Sequence, residues 1–234
     1  MSAPRLPDRR GDREMAYRLS FRFLPQYSNM LLLGVRRSFI IIIFAAVIGF
    51  TLGTLLALGR RSKNKPLNLF CAAWVDFLRN TPFLVQLFFL FYGLPQFGIY
   101  LSPMTTAIIA LGINTSAPNC EVVRAGLMAV KTGYYECSAA LGFSPFQTMR
   151  YVVLPIALRV AFKPLTNNFV NLVLTSSVAF YISINEIMGT AKTITARTAR
   201  PFEVYLVILV CYCVFTFSIS FICKYIDRKI SITL

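Results

Sequence analysis

The sequence has no histidine, one tryptophan and only nine acidic residues among 234. Without histidine, the usual acid–base catalyst at neutral pH and the commonest metal ligand are both missing. The six cysteines (Cys71, Cys120, Cys137, Cys211, Cys213 and Cys223) include no C-x-x-C pair. Three of them lie in the last apolar run, where cysteine serves as a small apolar residue rather than as part of a disulfide framework. Neither a G-x-x-x-x-G-K-[ST] phosphate loop nor a G-x-G-x-x-G turn occurs, so any use of nucleotide must belong to another chain. Charge is scarce as well: 14% of residues are charged, against about a quarter in a soluble domain. What is abundant is apolar surface, 56% of residues at a mean hydropathy of +0.63. A net charge of +15 would normally raise nucleic acid as a partner. Joined to that hydropathy, it reads instead as topology signals beside membrane spans, with no nucleic acid involved.

The uncharged windows carry the fold. They run for 22 residues between Arg37 and Arg60, 41 between Arg79 and Glu121, 22 between Lys163 and Glu186, and 20 between Glu203 and Lys224. A spanning helix needs about 20 mostly apolar residues. The longest window holds two spans, because Pro95 and Pro103 bracket the turn LPQFGIYLSP. The expected fold is an all-α integral membrane protein with five transmembrane helices, roughly 37–59, 68–94, 103–130, 160–184 and 203–223. Asp76 and Arg79 in the second helix are three apart and can pair on one face, as can Glu121 and Arg124 in the third. Thirteen basic residues flank the side holding the 131–155 loop and the C-terminus. Eleven flank the other side, or seven once Arg5, Arg9, Arg10 and Arg13 are set aside as too distant from a span. The loop and C-terminus are thus expected in the cytoplasm and the N-terminus outside. Residues 1–29 read as an N-terminal extension with an interfacial segment, 30–225 as the transmembrane domain and 226–234 as a cytoplasmic tail. The opening MSAPRLPDRRGDRE lacks the apolar core of a signal peptide. Met15 is an alternative start that would leave a short amphipathic lead, residues 17–33, at the interface.

The stretch KTGYYECSAALGFSPFQTMRYVVLPIALR, residues 131–159, reads as two short helices. The first covers about Tyr134–Leu141, and Gly142 supplies the left-handed residue that follows it. The second opens on Ser144 as N-cap, with Pro145 at the first helical position and Gln147 three residues after the cap. Pro155 marks the return to the bilayer. Tyr134, Tyr135 and Phe143 around small Cys137, Ser138, Ala139 and Ala140 suit a partner's groove, and they suit an ordinary connector equally well. Inside the spans, Asn114, Thr115 and Ser116 lie mid-helix in the third. Asn167, Asn171 and Thr175 repeat at i, i+4 and i+8 in the fourth, with Asn168 and Ser176 adjacent. Such groups either glue helices together or line a polar pathway for a zwitterionic solute. Pro118 frees the Asn114 carbonyl and kinks the third helix.

Glu136-Cys137-Ser138, Ala140-Leu141-Gly142, Val152, Leu154 and Pro155 together resemble the E-A-A-x-x-x-G-x(9)-I-x-L-P signature of bacterial ATP-binding-cassette (ABC) importer permeases. Arg79-Asn80-Thr81-Pro82-Phe83-Leu84-Val85-Gln86 resembles the R-G-T-P-L-L-V-Q segment of the polar amino acid permease subfamily, and Glu121–Gly126 its E-I-x-R-A-G. The resemblance covers residues 30–225 and implies a type I importer permease of the bacterial inner membrane with a cytoplasmic coupling helix. It implies that Tyr134, Tyr135, Glu136, Ala140, Leu141 and Gly142 dock on an ATP-binding subunit present in two copies. That subunit would hold ATP and magnesium, so this chain has no cofactor and is not itself an enzyme. A second permease subunit and an extracytoplasmic substrate-binding protein complete the implied assembly, with a polar amino acid as solute. Asn114, Thr115, Asn167, Asn171, Thr175 and Ser176 are the candidate pathway residues.

Departures from the family pattern are informative. Cys137 and Ser138 replace two alanines, still small. Leu174-Thr175-Ser176-Ser177 lacks the Lys-Asp pair that many relatives carry; the resemblance leaves a homo- or heterodimer open, and this departure leans toward a second, different permease subunit and toward a basic amino acid or an opine. Pro118 stands where an aromatic is usual. The competing function is a self-sufficient secondary transporter or channel. No internal repeat and no intramembrane acid beyond Glu121 favour it.

Overall fold

The computed structural model describes residues 19–232, and among these residues there is no strand. Helix α1 spans Phe23–Gly59, α2 Lys65–Asn80, α3 Phe83–Phe88, α4 Pro103–Met128 and α5 Thr132–Ala140. They are followed by α6 Pro145–Thr148, α7 Leu154–Thr175, α8 Ile187–Thr198 and α9 Pro201–Ile232. Residues 1–18 and 233–234 lie outside the described residues, and with them the question of a start at Met15.

A stripe of small residues sets the central contact. Ala45, Gly49, Gly53 and Ala57 repeat every four residues on α1 and are all buried, so they share one face. That face lies against Gly112, Thr115, Ser116 and Asn119 of α4. A Cβ on Gly53 would sit 2.7 Å from the Asn119 Cβ and 2.8 Å from the Ser116 carbonyl oxygen. The backbones therefore approach as closely as small residues permit, which is how helices gain dispersion energy where lipid removes the hydrophobic drive. Around this pair, Ile41, Ile42, Leu87, Leu111, Leu172 and Val173 close a core to which α1, α3, α4 and α7 all contribute. Large apolar side chains point the other way, such as Phe39, Phe44 and Val47 on α1 and Leu209, Val214, Phe217 and Phe221 on α9.

Helices α1 and α9 are each long and apolar enough to cross a membrane, and two bent helix pairs supply up to two more crossings. Helix α4, the expected third span, has 26 residues, about 39 Å of helix. It is long enough but too polar to qualify by composition. The reason is its place: packed by α1, α2, α3 and α7, it meets protein rather than lipid and can carry amides.

The structure corrects several boundaries. The second span is not one helix over 68–94, because α2 and the α3 segment meet at a 106° bend. Pro82 disfavours helical backbone at the residue before it, and Thr81 is extended at φ −114°, ψ 137°. After α3 the chain widens into a π-helical turn over Phe89–Gly93 and tightens to a 3₁₀ turn over Leu94–Phe97. Among the described residues no ion pair joins Asp76 to Arg79, and both are exposed. The first helix starts at Phe23 rather than 37, since nothing past Pro25 in its first turn breaks it. The part of the expected interfacial lead from Phe23 onward is therefore continuous with the first span. Pro155 stands in the first turn of α7, at the start expected for the return to the bilayer. A π-helical turn over Met149–Val153 precedes it, and its wider loop absorbs the proline without breaking the run into α7. Helix α4 likewise runs unbroken through Pro118. The tail from 226 continues as helix to Ile232.

Helix α8 was not anticipated. Its Ile187, Ala191 and Ile194 pack with Phe23 of α1 and with Val204 and Ile208 of α9. Buried Glu186 caps it, accepting from the Met188 and Gly189 amides at 2.9 Å each.

Candidate functional site

At the α5 end the chain makes a compact projection. Helix α5 closes with two backbone bonds, Gly142 N–H to the Ala139 carbonyl and Phe143 N–H to the Ser138 carbonyl, both 3.0 Å. This is the Schellman arrangement, and Gly142 sits at φ +74°, where any Cβ is strained. Two residues on, Ser144 accepts from the Gln147 amide at 3.3 Å while Gln147 Oε1 accepts from the Ser144 amide at 2.8 Å, the reciprocal cap its spacing predicts. Between these two locks lie exposed Leu141 and Phe146, 74% and 75% accessible. Tyr134, Glu136, Ala140 and Gly142 are exposed too. Tyr135 differs: it is half-buried against Leu127, Val130, Val153 and Ala157, so it anchors the projection to α4 and α7.

Just inside this end, Glu121 of α4 takes two bonds from Arg124, at 2.6 Å from Nη2 and 3.1 Å from Nε. Its other oxygen accepts from Arg60, the residue that ends α1. The Arg60 carbonyl in turn accepts from Asn68 Nδ2 at 2.6 Å. The i,i+3 pair was legible from spacing. Arg60 was not, because a partner 61 positions away leaves no local signal.

The amides divide into two sets. Asn114 Nδ2 donates to Gln86 Oε1 at 3.1 Å, and Gln86 Nε2 donates to the Leu78 and Thr81 carbonyls at 3.0 and 3.2 Å. Gln86 thereby satisfies backbone that the Pro82 bend leaves open. Asn119 Oδ1 accepts from Asn168 Nδ2 at 3.0 Å, joining α4 to α7. Thr115 is buried against Gly49, and Ser176 is buried with its hydroxyl on the Val173 carbonyl at 2.7 Å. Asn167 and Asn171 point elsewhere: both are exposed, with Thr175 half-buried beyond them on the same face. Asn167 lines a cavity of about 250 Å³ between α7 and α9, with Lys163, Thr166, Ser220, Lys224 and Asp227. A second cavity of about 340 Å³ opens farther along, lined by Leu174, Ser177 and Met188 facing Tyr205, Ile208 and Tyr212. The six candidate pathway residues therefore do not share one surface. Gln86, Asn119 and Arg60 are the polar members the sequence did not single out. Among the described residues no three His, Cys, Asp or Glu side chains gather where a metal could bind.

Residues 49–232 match the family described as the binding-protein-dependent transport system inner membrane component. The chain belongs to this family. It is 32% identical over 202 residues to a probable glutamine ABC transporter permease, GlnM, of Bacillus subtilis strain 168, covering 86% of this chain and 94% of that one. A nopaline transport system permease, NocM, of Agrobacterium fabrum strain C58 is 35% identical over 200 residues, covering 81% and 83%. Among solved structures, an amino acid ABC transporter crystallised with histidines superposes at a TM-score of 0.84, with 31% identity over 91% of this chain and all of that one. A methionine ABC transporter at 23% identity and a TM-score of 0.67 shares the fold.

This transport-system component is thus a multi-pass inner-membrane permease subunit of an ABC importer, working with ATP-binding subunits and a substrate-binding protein. The matched region begins inside α1 and takes in the α5–α6 projection, the Glu121 network and both sets of amides. Every group described above lies within it except α1 before Gly49.

Proposed function

We propose that the chain is one of two permease subunits in an importer for a polar amino acid, oriented with its N-terminus outside and the α5–α6 projection in the cytoplasm. The observation that carries the pathway is the pair Asn167 and Asn171. Both carboxamides are exposed on a membrane helix, and among the described residues neither has a hydrogen-bond partner. An unsatisfied amide facing hydrocarbon costs several kcal/mol, so this face of α7 meets water, solute or a second polar chain. The two cavities on the α7–α9 side extend that face. Relatives named for glutamine, L-cystine and nopaline support a solute with an amino-acid head group. The missing Lys-Asp pair before Ser176 supports a different chain as the other half of the pathway.

The projection serves as the ATPase dock: Leu141, Ala140 and Gly142 enter a cleft of the ATP-binding subunit while Tyr135 ties their motion to α4 and α7. Glu121 is already held by Arg60 and Arg124, which argues against it as an ion-coupling site and for energy supplied by the ATP-binding subunit. The test is reconstitution in proteoliposomes with the second permease, the ATPase and the binding protein. ATP-dependent uptake of one radiolabelled amino acid, competed by a panel of others, is the expected result. Uptake by this chain without the ATPase would overturn the reading. Gly142→Glu, which adds bulk and strain at φ +74°, is expected to yield a permease that no longer co-purifies with the ATPase.

A further inference from the structure

Two polar faces meet across a gap toward the α5 end of α7 and α9. Lys163, Thr166 and Asn167 share one face of α7, and Ser220, Lys224 and Asp227 share one face of α9. All six line the cavity of about 250 Å³ between the two helices. Its depth follows from α4. Asn168 donates to Asn119, and a Cβ on Gly126 would lie 3.2 Å from the Ala161 Cβ. Residues 163–167 therefore stand level with Glu121 and Arg124, whose network takes in Arg60 at the end of α1. The cavity sits at the rim of the spanning region rather than in its middle.

The polar lining is largely unspent. Among the described residues, the side chains of Asn167, Ser220 and Lys224 have neither a hydrogen bond nor an ion pair. Lys224 and Asp227 are three apart, the spacing at which they can pair, yet no ion pair joins them. Asp227 has only Lys163, at 3.9 Å, and that lysine side chain is 81% exposed. Such a pair contributes little, so both groups are able to take another partner. Ionisable groups beside a cavity between membrane helices mark a solute path when nothing in the chain consumes them. The mix of charges restricts the solute. Two ammonium groups favour an oxyanion, but the Asp227 carboxylate repels a bare anion and favours a cation beside it. A ligand that carries an ammonium and a carboxylate a few bonds apart satisfies both. The volume lies below the range of about 300–1,000 Å³ for drug-sized pockets, which suits a free amino acid.

We infer that this cavity is a release site on the cytoplasmic side, which holds the α-ammonium and α-carboxylate of the imported amino acid and not its side chain. Lys224 and Asn167 take the carboxylate, while Asp227 and Ser220 take the ammonium. The inference rests on the pathway and orientation proposed above. Asn171 lies one turn beyond Asn167 on the same face of α7, so a solute leaving Asn171 meets this cavity next.

Half-buried Cys223 stands in the same cavity wall and serves as the reporter. The full complex in nanodiscs is treated with N-ethylmaleimide, and modification of Cys223 is followed by mass spectrometry. L-Glutamine and L-arginine are each expected to slow it. The α-amide of L-glutamine and N-acetyl-L-glutamine, each lacking one of the two charges, are expected to leave it unchanged. Lys224→Gln and Asp227→Asn should each raise the half-protecting concentration about tenfold, the loss of one hydrogen bond to a charged group. Ser220→Ala gives a smaller shift in the same direction. Absence of protection by both amino acids would overturn the inference, as would equal protection by the two capped analogues. So would labelling that is slow in phosphatidylethanolamine discs and fast in phosphatidylcholine discs without added amino acid, which would give the site to a lipid head group. The pathway is read separately, by uptake in Asn171→Leu. If that variant loses uptake while Cys223 of the unmodified chain is not protected, the release site alone falls. If it keeps uptake while protection holds, the pathway alone falls.

Discussion

Helices α4 and α7 both carry amides in mid-helix, and they use them in opposite ways. On α4, Asn114 and Asn119 find partners on α3 and α7. On α7, only Asn168 turns inward, while Asn167 and Asn171 on a different face remain exposed. Position explains the contrast. Helix α4 is enclosed by four neighbours, so a polar group there must be satisfied internally or not exist. Helix α7 packs on α4 and α9 but is not enclosed by them, and what stands on its open face is for the assembled transporter to supply. A polar residue in a membrane helix is therefore structural or functional according to which face bears it.

The sharpest way to break this comparison is to push α4 off α1. Gly53→Leu places side-chain atoms where a Cβ alone would already lie 2.8 Å from the Ser116 carbonyl. Backbone cannot step aside as a flexible side chain can, so the expected loss is about 3 kcal/mol or more. The readout is monodisperse protein by size exclusion in detergent, expected to fall to a trace. Normal yield would mean that α4 is not wedged by its neighbours as described.

The next test separates the faces directly. Asn171→Leu is expected to abolish uptake while leaving ATPase co-purification and thermal stability unchanged, because its amide holds nothing within the chain. Asn119→Ala should do the reverse. It strands the Asn168 amide, and the expected loss is about 1 kcal/mol, read as a lower melting midpoint with uptake per folded complex preserved. If the two variants behaved alike, the division between inward and outward amides would fail.

How much of this was legible beforehand follows from the range of the forces involved. The Ser144 cap, the Gly142 turn and the Glu121–Arg124 pair act within four residues, so spacing alone exposes them. The apolar runs were equally plain, because a bilayer demands about 20 apolar residues in a row. What stayed hidden was long-range. Gln86 needed the bend at Pro82 before its amide had carbonyls to serve, although the residue before a proline was itself a warning that 68–94 would not be one straight helix. Helix α8 was missed because its signal is three small-to-medium apolar residues within a polar connection. Its cap, Glu186, looked like the boundary of an uncharged window. The Asn167–Asn171–Thr175 spacing did place these residues on one face, but spacing could not say that Thr115 and Ser176 would be buried elsewhere.

The smallest effect tests the α5–α6 projection, which shares the outward character of Asn167 and Asn171. Ser144→Ala removes the hydroxyl that accepts from the Gln147 amide and leaves that N–H of α6 without an acceptor. The expected cost is about 1 kcal/mol, confined to the projection, because Tyr135 and not α6 ties it to the core. Hydrogen exchange should therefore quicken at residues 144–149 and stay unchanged in α4 and α7, with the melting midpoint of the whole chain barely moved. The coupling surface would loosen locally, so the ATPase should still bind, but with a faster off-rate. Quickened exchange that spread into α7 would show instead that the projection and the spanning helices unfold as one unit, and that the separation between an enclosed core and an outward working face is less complete than the hydrogen bonds of α4 imply.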